Sequence, residues 1–384
     1  MNYALIQKTL GMMTLVFATI LFIPFITSVS YNDGNTSSFI YSFFIIFAIG
    51  GLLFFPNIHN SFDSNIKIKE GFLIVVLFWV LLSLFGSFPF MFDITLSMTF
   101  TDAFFESVSG WTTTGATIIT NLDDLTPSIL IYRQLLQWLG GMGIVVLALA
   151  VLPMLGVGGM QLYKAESGGP IKDNKISPRI AETAQNLWKV YLGLTIACAS
   201  AYYFAGMSLF DAIAHSFSTI AIGGFSTHSQ SIAYFNSMTI EVVCMVFMFL
   251  SALNFILHFH SLKSRSLKVY FKDIEFRLYL FLIMTSSFLL IVYSSLMHSD
   301  QISISSILFQ VVSFITTSGF ISTSYENWPV SIISVLIFLS FLGACAGSTG
   351  GGIKIIRVLF IIKELKRGLI KIIHPTAEVP IKIN

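Results

Sequence analysis

Three stretches of this chain repeat one pattern, and that repetition constrains its fold more than any other feature. Aligned without gaps they are residues 102–109 (DAFFESVS), 211–218 (DAIAHSFS) and 306–313 (SILFQVVS). Six residues beyond the last Ser of each stands a glycine: Gly115, Gly224 and Gly319. The copies predict short helices over 100–111, 208–219 and 304–315, each running into a Thr/Ser/Gly loop. Helices of roughly 10–12 residues are too short for a bilayer core, which takes about 20. Apolar segments of spanning length surround them, near 8–28, 39–57, 71–90, 127–152, 185–205, 235–260, 276–297 and 328–362. A short helix and loop set between spans reads as re-entrant. Non-helical backbone at membrane depth must be buried in protein or line water, so the loops require an enclosed wet interior.

The expected fold class follows: all-α, a polytopic membrane protein. Residues 1–60 form an accessory helix pair without a short helix. Span, re-entrant loop and span then recur as pore repeats at 71–152, 185–260 and 276–365. A Gly- and Pro-containing linker fills 153–184, and a tail occupies 366–384. Composition agrees, since the chain is 55% hydrophobic and 10% charged, against about 25% charged in soluble domains. The first apolar segment lacks a small-residue cleavage site and reads as a true span.

Charge placement orients the chain. Apart from Arg133, the Lys and Arg residues gather at the N-terminus and around 67–69, 164–189, 263–277 and 354–382. These are alternate connections, so the N-terminus is placed on the cytoplasmic side by the positive-inside rule. The opposite face carries Asp33, Asp93, Asp102, Glu106, Asp123, Asp124, Asp211, Asp300 and Glu326. An uncompensated acidic mouth concentrates cations. Cys198, Cys244 and Cys345 fall inside predicted spans without ligand spacing and read as apolar fillers. His258 and His260 end a span with no acidic partner nearby and read as interface anchors.

A cation entering lipid must exchange its hydration shell for other oxygens, and neutral backbone carbonyls bind it without trapping it. Glycine allows the backbone angles that turn carbonyls inward, and Thr or Ser add hydroxyl oxygens. The candidate filter is therefore Thr112, Thr113, Thr114 and Gly115, with Ala221, Ile222, Gly223 and Gly224, and with Thr316, Thr317, Ser318 and Gly319. Glu106, His215 and Gln310 hold equivalent places in the repeats and are expected to brace the loops. Arg133 is expected in an ion pair with Glu106 or Asp124. A second candidate element is Gly347, Ser348, Thr349, Gly350, Gly351 and Gly352. Its glycine run interrupts an apolar segment at about 1 kcal/mol per Gly against Ala, as a kink or a mobile gate would. It is not a phosphate-binding P-loop, because Ile353 displaces Lys354 and no strand precedes it.

The runs SVSGWTTTGAT, HSFSTIAIGGFSTH and QVVSFITTSGF resemble the first three filter regions of the Trk/Ktr/HKT superfamily of cation transporters. RQLLQWLGGMGI (133–144), GGMQLYKAESGGP (158–170) and GACAGSTGGGIKIIRV (343–358) extend the resemblance over nearly the whole chain, nearest to the bacterial TrkH family. The resemblance implies potassium as transported ion and no covalently bound cofactor. It also implies a homodimer in the bacterial inner membrane and a TrkA-like cytosolic nucleotide-binding regulatory subunit. In that family residues 347–352 correspond to a gating loop, and a Ser at the filter glycine goes with sodium passage. The family pattern continues into a fourth repeat, whereas 376–384 (TAEVPIKIN) holds no span. The expected function is potassium uptake through this filter; the alternative is a truncated non-conducting fragment or an interaction subunit, the missing quarter being supplied by another polypeptide or closed by neighbouring chains. An enzyme is not expected, for no nucleophile–base pair or metal-ligand set stands out, and no nucleic-acid partner is implied.

Overall fold

The structure, a computed structural model, describes residues 1–58, 68–141, 143, 180–297 and 302–374, and among these residues the regular elements are all helical. The end of the 127–152 segment, most of the 153–184 linker with the 158–170 motif, Asp300 and residues 375–384 lie outside the described residues.

Helix α1 (Tyr3–Ile20) runs into α2 (Phe22–Tyr31), and α3 (Thr36–Phe54) returns beside α1. Gly11 makes this crossing close: a methyl group there would lie 2.6 Å from the Phe54 nitrogen and 2.9 Å from the Gly50 carbonyl oxygen. Small residues at a crossing let backbones approach where lipid offers no hydrophobic drive between helices.

Three helical sets follow. The first is α4 (Ile68–Gly86), α5 (Phe88–Phe92), the short α6 (Phe100–Trp111) and α7 (Pro127–Gly141). Next come α8 (Ile180–Phe204), the short α9 (Leu209–Ala221), α10 (Met238–Ser251), α11 (Phe255–Ser264) and α12 (Lys268–Lys272). The last is α13 (Ile274–Leu296), the short α14 (Ile304–Thr316), α15 (Val330–Leu342) and α16 (Ile355–Ile373).

Two of the expected spans are not continuous helices. In 235–260 the chain bends by 96° between α10 and α11. Asn254 starts the new helix there, its side-chain oxygen accepting from the Ile256 N–H at 2.9 Å, an N-cap in mid-segment. In 328–362 residues 343–354 are non-helical, with Gly343, Gly347 and Gly352 all at positive φ. Among the described residues four helices are long and apolar enough to cross a membrane, and the bent pair α10/α11 would make a fifth. The glycine run marks the second break in the sequence; the Asn254 cap is not seen by periodicity or length.

The apolar core has two parts. One joins α1–α7, the other α8–α16, and Trp138 of α7 packs against both. Its ring lies 5.2 Å from Phe217 and 5.6 Å from Tyr191, and its indole N–H donates to Thr195 Oγ1 at 3.1 Å. Around this core the outer faces are apolar. Phe44, Phe204, Phe281, Phe288 and Phe338 are all exposed, which suits a lipid-facing surface.

Candidate functional site

The three short helices begin alike. Thr99, Ser208 and Ser303 accept hydrogen bonds from the N–H groups of Asp102, Asp211 and Ser306 at 3.3, 3.0 and 3.1 Å. Each is an N-cap three residues before the aligned copies start, followed three residues on by Asp in the first two copies and by Ser306 in the third.

They also end alike. The N–H groups of Thr114, Gly223 and Ser318 donate to the carbonyls of Ser109, Ser218 and Ser313 at 3.0, 2.9 and 2.9 Å. Those of Thr113, Ile222 and Thr317 donate to Gly110, Thr219 and Phe314 at 3.1, 3.2 and 3.0 Å. This pair of bonds is the Schellman closure, whose pivot is a left-handed residue and usually a glycine. Here the pivots are β-branched: Thr113, Ile222 and Thr317 have φ of 53°, 55° and 65°. Such a residue costs about 1–3 kcal/mol and is held only where its surroundings over-determine it. Gly115, Gly224 and Gly319 are left-handed too, at 77°, 78° and 80°. Every tetrad is thus left-handed at its second and fourth residues. The C-terminal ends of three helices, each with partial negative charge, point toward the tetrads.

Adjacent loops touch through the glycines. A methyl group on Gly115 would sit 2.2 Å from the Gly223 carbonyl oxygen, and one on Gly224 would sit 2.1 Å from that of Ser318. Around Gly319 nothing lies within 4 Å of that position. The second tetrad is consequently enclosed, with Ala221, Ile222 and Gly223 buried, while Thr112 and Thr114 of the first and Gly319 of the third are exposed.

Side chains behind the loops differ. Arg133 and Glu106 are fully buried and paired at 2.7 Å. Glu106 also accepts from Thr117 Oγ1 at 3.0 Å, and Arg133 donates to the Ser226 carbonyl at 3.3 Å and lies over the Phe225 ring. His215 donates from Nδ1 to the Asp211 carbonyl, so its Nε2 accepts from the Ser226 hydroxyl, each at 2.9 Å. Gln310 departs from its expected bracing role: it is fully buried, and neither amide atom has a hydrogen-bond partner. Thr117 and Ser226 stand eleven residues beyond Glu106 and His215, whereas the same step from Gln310 reaches Ile321, which has no polar side chain to offer.

Gln137 was not singled out from sequence, yet it holds the second loop most directly. Its Nε2 donates to the Gly223 carbonyl at 2.6 Å, and its Oε1 accepts from Ser218 Oγ at 2.6 Å and the Phe225 N–H at 3.1 Å. A Gln within an apolar helix was the available signal.

Residues 347–352 meet the inner ends of the tetrads. The Gly351 N–H donates to Thr317 Oγ1 at 2.8 Å, and Thr349 Oγ1 donates to the Ile220 carbonyl at 2.9 Å. The same stretch is tied to the α10–α11 break, for the Cys345 N–H donates to the Ala252 carbonyl and the Phe255 N–H to the Gly347 carbonyl, both at 3.0 Å. Lys354 Nζ donates to the Gly350 carbonyl.

At the acidic mouth the carboxylates are engaged. His228 bridges Asp123 at 2.7 Å and Asp211 at 3.4 Å, and its ring stacks 3.4 Å from that of Tyr234. Partial burial works against the His228 cation, but Asp211 and Asp123 outweigh it and raise its pKa. The hydrogen bond from His228 holds the Asp123 carboxyl below its usual range. Asp33 accepts from Ser28 Oγ at 2.5 Å, and Asp93 accepts from Asn35 at 2.7 Å and the Thr95 N–H at 2.7 Å. These hydrogen bonds pin the loops on this face. Among the described residues no cluster of His, Cys, Asp and Glu could hold a metal ion. His258 is bound to Tyr270 OH at 2.7 Å and the Leu250 carbonyl at 2.9 Å. Cys198, Cys244 and Cys345 are free and buried.

Known proteins resemble this chain in sequence and fold. The family model described as TrkH, cation transport protein, matches residues 35–384. The Trk system potassium uptake protein TrkH of Escherichia coli K12 is 49% identical over 387 residues, covering 100% of this chain and 80% of that protein. The Trk system potassium uptake protein TrkG of the same strain is 39% identical, covering 97% and 77%. The crystal structure of the potassium transporter TrkH from Vibrio parahaemolyticus superposes with a TM-score of 0.87 at 44% identity, covering 100% of this chain and 79% of that one.

Proposed function

The chain belongs to the TrkH family of cation transport proteins, and from that premise we propose that it carries potassium into the cell past a filter formed by its repeated loops. The observation that carries the reading is the common backbone of the tetrads, left-handed at the second and fourth residue in all three. That backbone presents successive carbonyls beside a glycine-lined seam, the oxygen-rich lining a dehydrated cation needs. Potassium is the ion named for the E. coli and Vibrio relatives, and a glycine closes every tetrad here. The filter residues are 112–115, 221–224 and 316–319, and 347–352 act as the gate at their inner end. The supporting geometry is the contact of Thr349 and Gly351 with Ile220 and Thr317. The protein lies in a bacterial inner membrane with its N-terminus inside, works as a homodimer, and docks a TrkA-like cytosolic regulatory subunit. Basic residues gathered on one side of the membrane support that orientation.

Rubidium-tracer uptake into proteoliposomes holding the purified chain, with excess sodium as competitor, tests this. Uptake that resists sodium is expected, and Gly224→Ser relaxes that resistance. Sodium-sensitive uptake, or unchanged selectivity in a conducting Gly224→Ser protein, overturns the assignment. Deleting 348–351 raises flux if the loop is the gate. A second reading rests on Gly319: the seams at Gly115 and Gly224 are each filled by the next loop's carbonyl, and the one at Gly319 is open. On that reading conduction needs another filter segment against Gly319, and uptake appears only when a partner supplies it.

A further inference from the structure

We propose that Glu275 is the latch of the intramembrane loop: its carboxylate fastens both ends of residues 343–354 and so sets how readily the loop leaves the filter. Glu275 sits in the first turn of α13 and is only 7% exposed. Its backbone is fixed, because Asp273 caps the helix by accepting from the Phe276 N–H at 2.8 Å. One oxygen, Oε1, accepts two backbone hydrogen bonds, from the Ala346 N–H at 2.7 Å and the Ile356 N–H at 3.0 Å. Ala346 lies at the start of the glycine run and Ile356 just beyond its end, in the first turn of α16.

The two ends are also tied to each other, by the Ile353 N–H to the Phe341 carbonyl at 2.9 Å and the Ile355 N–H to the Ala344 carbonyl at 3.2 Å, but the Ile356 N–H is met by Glu275. The N-cap position of α16 is Lys354, whose side chain makes no capping bond. The first N–H groups of a helix need an acceptor, and a carboxylate there also meets the positive end of the helix dipole. Glu275 supplies this from α13, the first helix of the same set. Gly343, Gly347 and Gly352 hold positive φ in the loop, a region glycine populates without steric cost. Within the loop, Thr349 and Gly351 are tied to Ile220 and Thr317, and Cys345, Gly347 and Gly350 to Ala252, Phe255 and Lys354. A loop that swings away must break those and pivot on its two ends. Charge-assisted bonds from a carboxylate are the strongest available for holding such ends. Glu275 therefore acts through the loop as a positioning residue and does not touch the ion.

The latch rests on the gate reading above only for its consequence in flux, so two readouts keep them apart. Cys345 lies on the loop and is 2% exposed, which makes it a native reporter of loop release. In a Cys198→Ala/Cys244→Ala background in proteoliposomes, labelling of Cys345 by a water-soluble maleimide is followed by mass spectrometry. Glu275→Met keeps the side-chain length and loses the acceptor; labelling is expected about tenfold faster or more, from the loss of two carboxylate hydrogen bonds. Glu275→Gln keeps an acceptor oxygen without the charge and is expected about threefold faster, since neutral hydrogen bonds are weaker. A role in filling space alone makes Gln and Met alike and leaves both at the parent rate, which overturns the latch. Should the Met variant not fold, the Gln variant decides: a rise supports the latch, and the parent rate overturns it. Rubidium uptake is measured on the same vesicles. Faster labelling with unchanged uptake keeps the latch and refutes the gate, and absence of uptake in every protein, parent included, refutes conduction by this chain without touching the labelling result.

Discussion

Residues 221–224 and 316–319 follow the same backbone path, but the second loop is walled in and the third is not. Behind the second stand Gln137, bonded to Gly223, Ser218 and Phe225, and His215, bonded to Ser226. Behind the third stands Gln310 with no partner, and beside it Gly319 faces open space. Since the left-handed pattern is the same in both, the side-chain braces do not create the conformation. Helix closure does, through the repeated bonds from residue i to i−5 and i−3. The braces decide how firmly each loop is locked to its neighbour, and the firmest lock is on the loop that has a neighbour on either side.

The sharpest way to break this comparison is to give both glycines a methyl group. Gly224→Ala meets the Ser318 carbonyl at 2.1 Å and must also hold a left-handed backbone, so rubidium uptake is expected to fall at least about tenfold. Gly319→Ala carries only the backbone cost of about 1–2 kcal/mol and is expected to retain more uptake; equal losses would refute the difference in enclosure. Next in size is Gln137→Leu. It strands the Ser218 hydroxyl, the Phe225 N–H and the Gly223 carbonyl, at about 1–3 kcal/mol for a buried unsatisfied group. Thermal unfolding in detergent should record the loss.

Gln310→Leu sharpens the contrast from the other side. Removing an unpartnered buried amide is expected to leave stability unchanged or raise it by about 1 kcal/mol, and a clear destabilisation would mean that Gln310 has a bonding role.

The smallest effect belongs to the outer clamp. His228 has its pKa raised from 6.5, so its contribution is complete below 6.5 and lost as pH rises through the raised value. Asp123 has its pKa lowered from 3.8, so its share is complete above 3.8 and lost as pH falls through the lowered value. The stability lead of the parent over His228→Gln is expected between those limits and should vanish at alkaline pH; a lead that persists there would exclude the ionic clamp.

Much of this was legible in the sequence. The short helices stand within two residues of their expected limits, because the alignment registered a real structural repeat. Arg133 was expected to pair with Glu106 or Asp124 because a lone buried cation must find a carboxylate, and the structure pairs it with Glu106. Gln310 misled for the opposite reason, since equivalence of position says nothing about a partner eleven residues away. Glu275 stayed hidden because its partners are backbone N–H groups on other segments, and Gln137 because all but one of its partners are backbone groups, which leave no mark in the residue alphabet.

By itself the sequence determined that the chain is helical, that it lies in a membrane and that three short helices run into glycine loops. Those properties depend on composition, run length and local backbone preference, all of which act over a few turns. Only the tertiary structure decided that the second loop is enclosed, that Gly115 and Gly224 lie against a neighbour's carbonyl, and that one carboxylate holds both ends of the loop beneath the filter. Such contacts join residues far apart in the chain, and hydrogen bonds and steric limits act over a few ångströms, so they exist only once packing has brought those residues together.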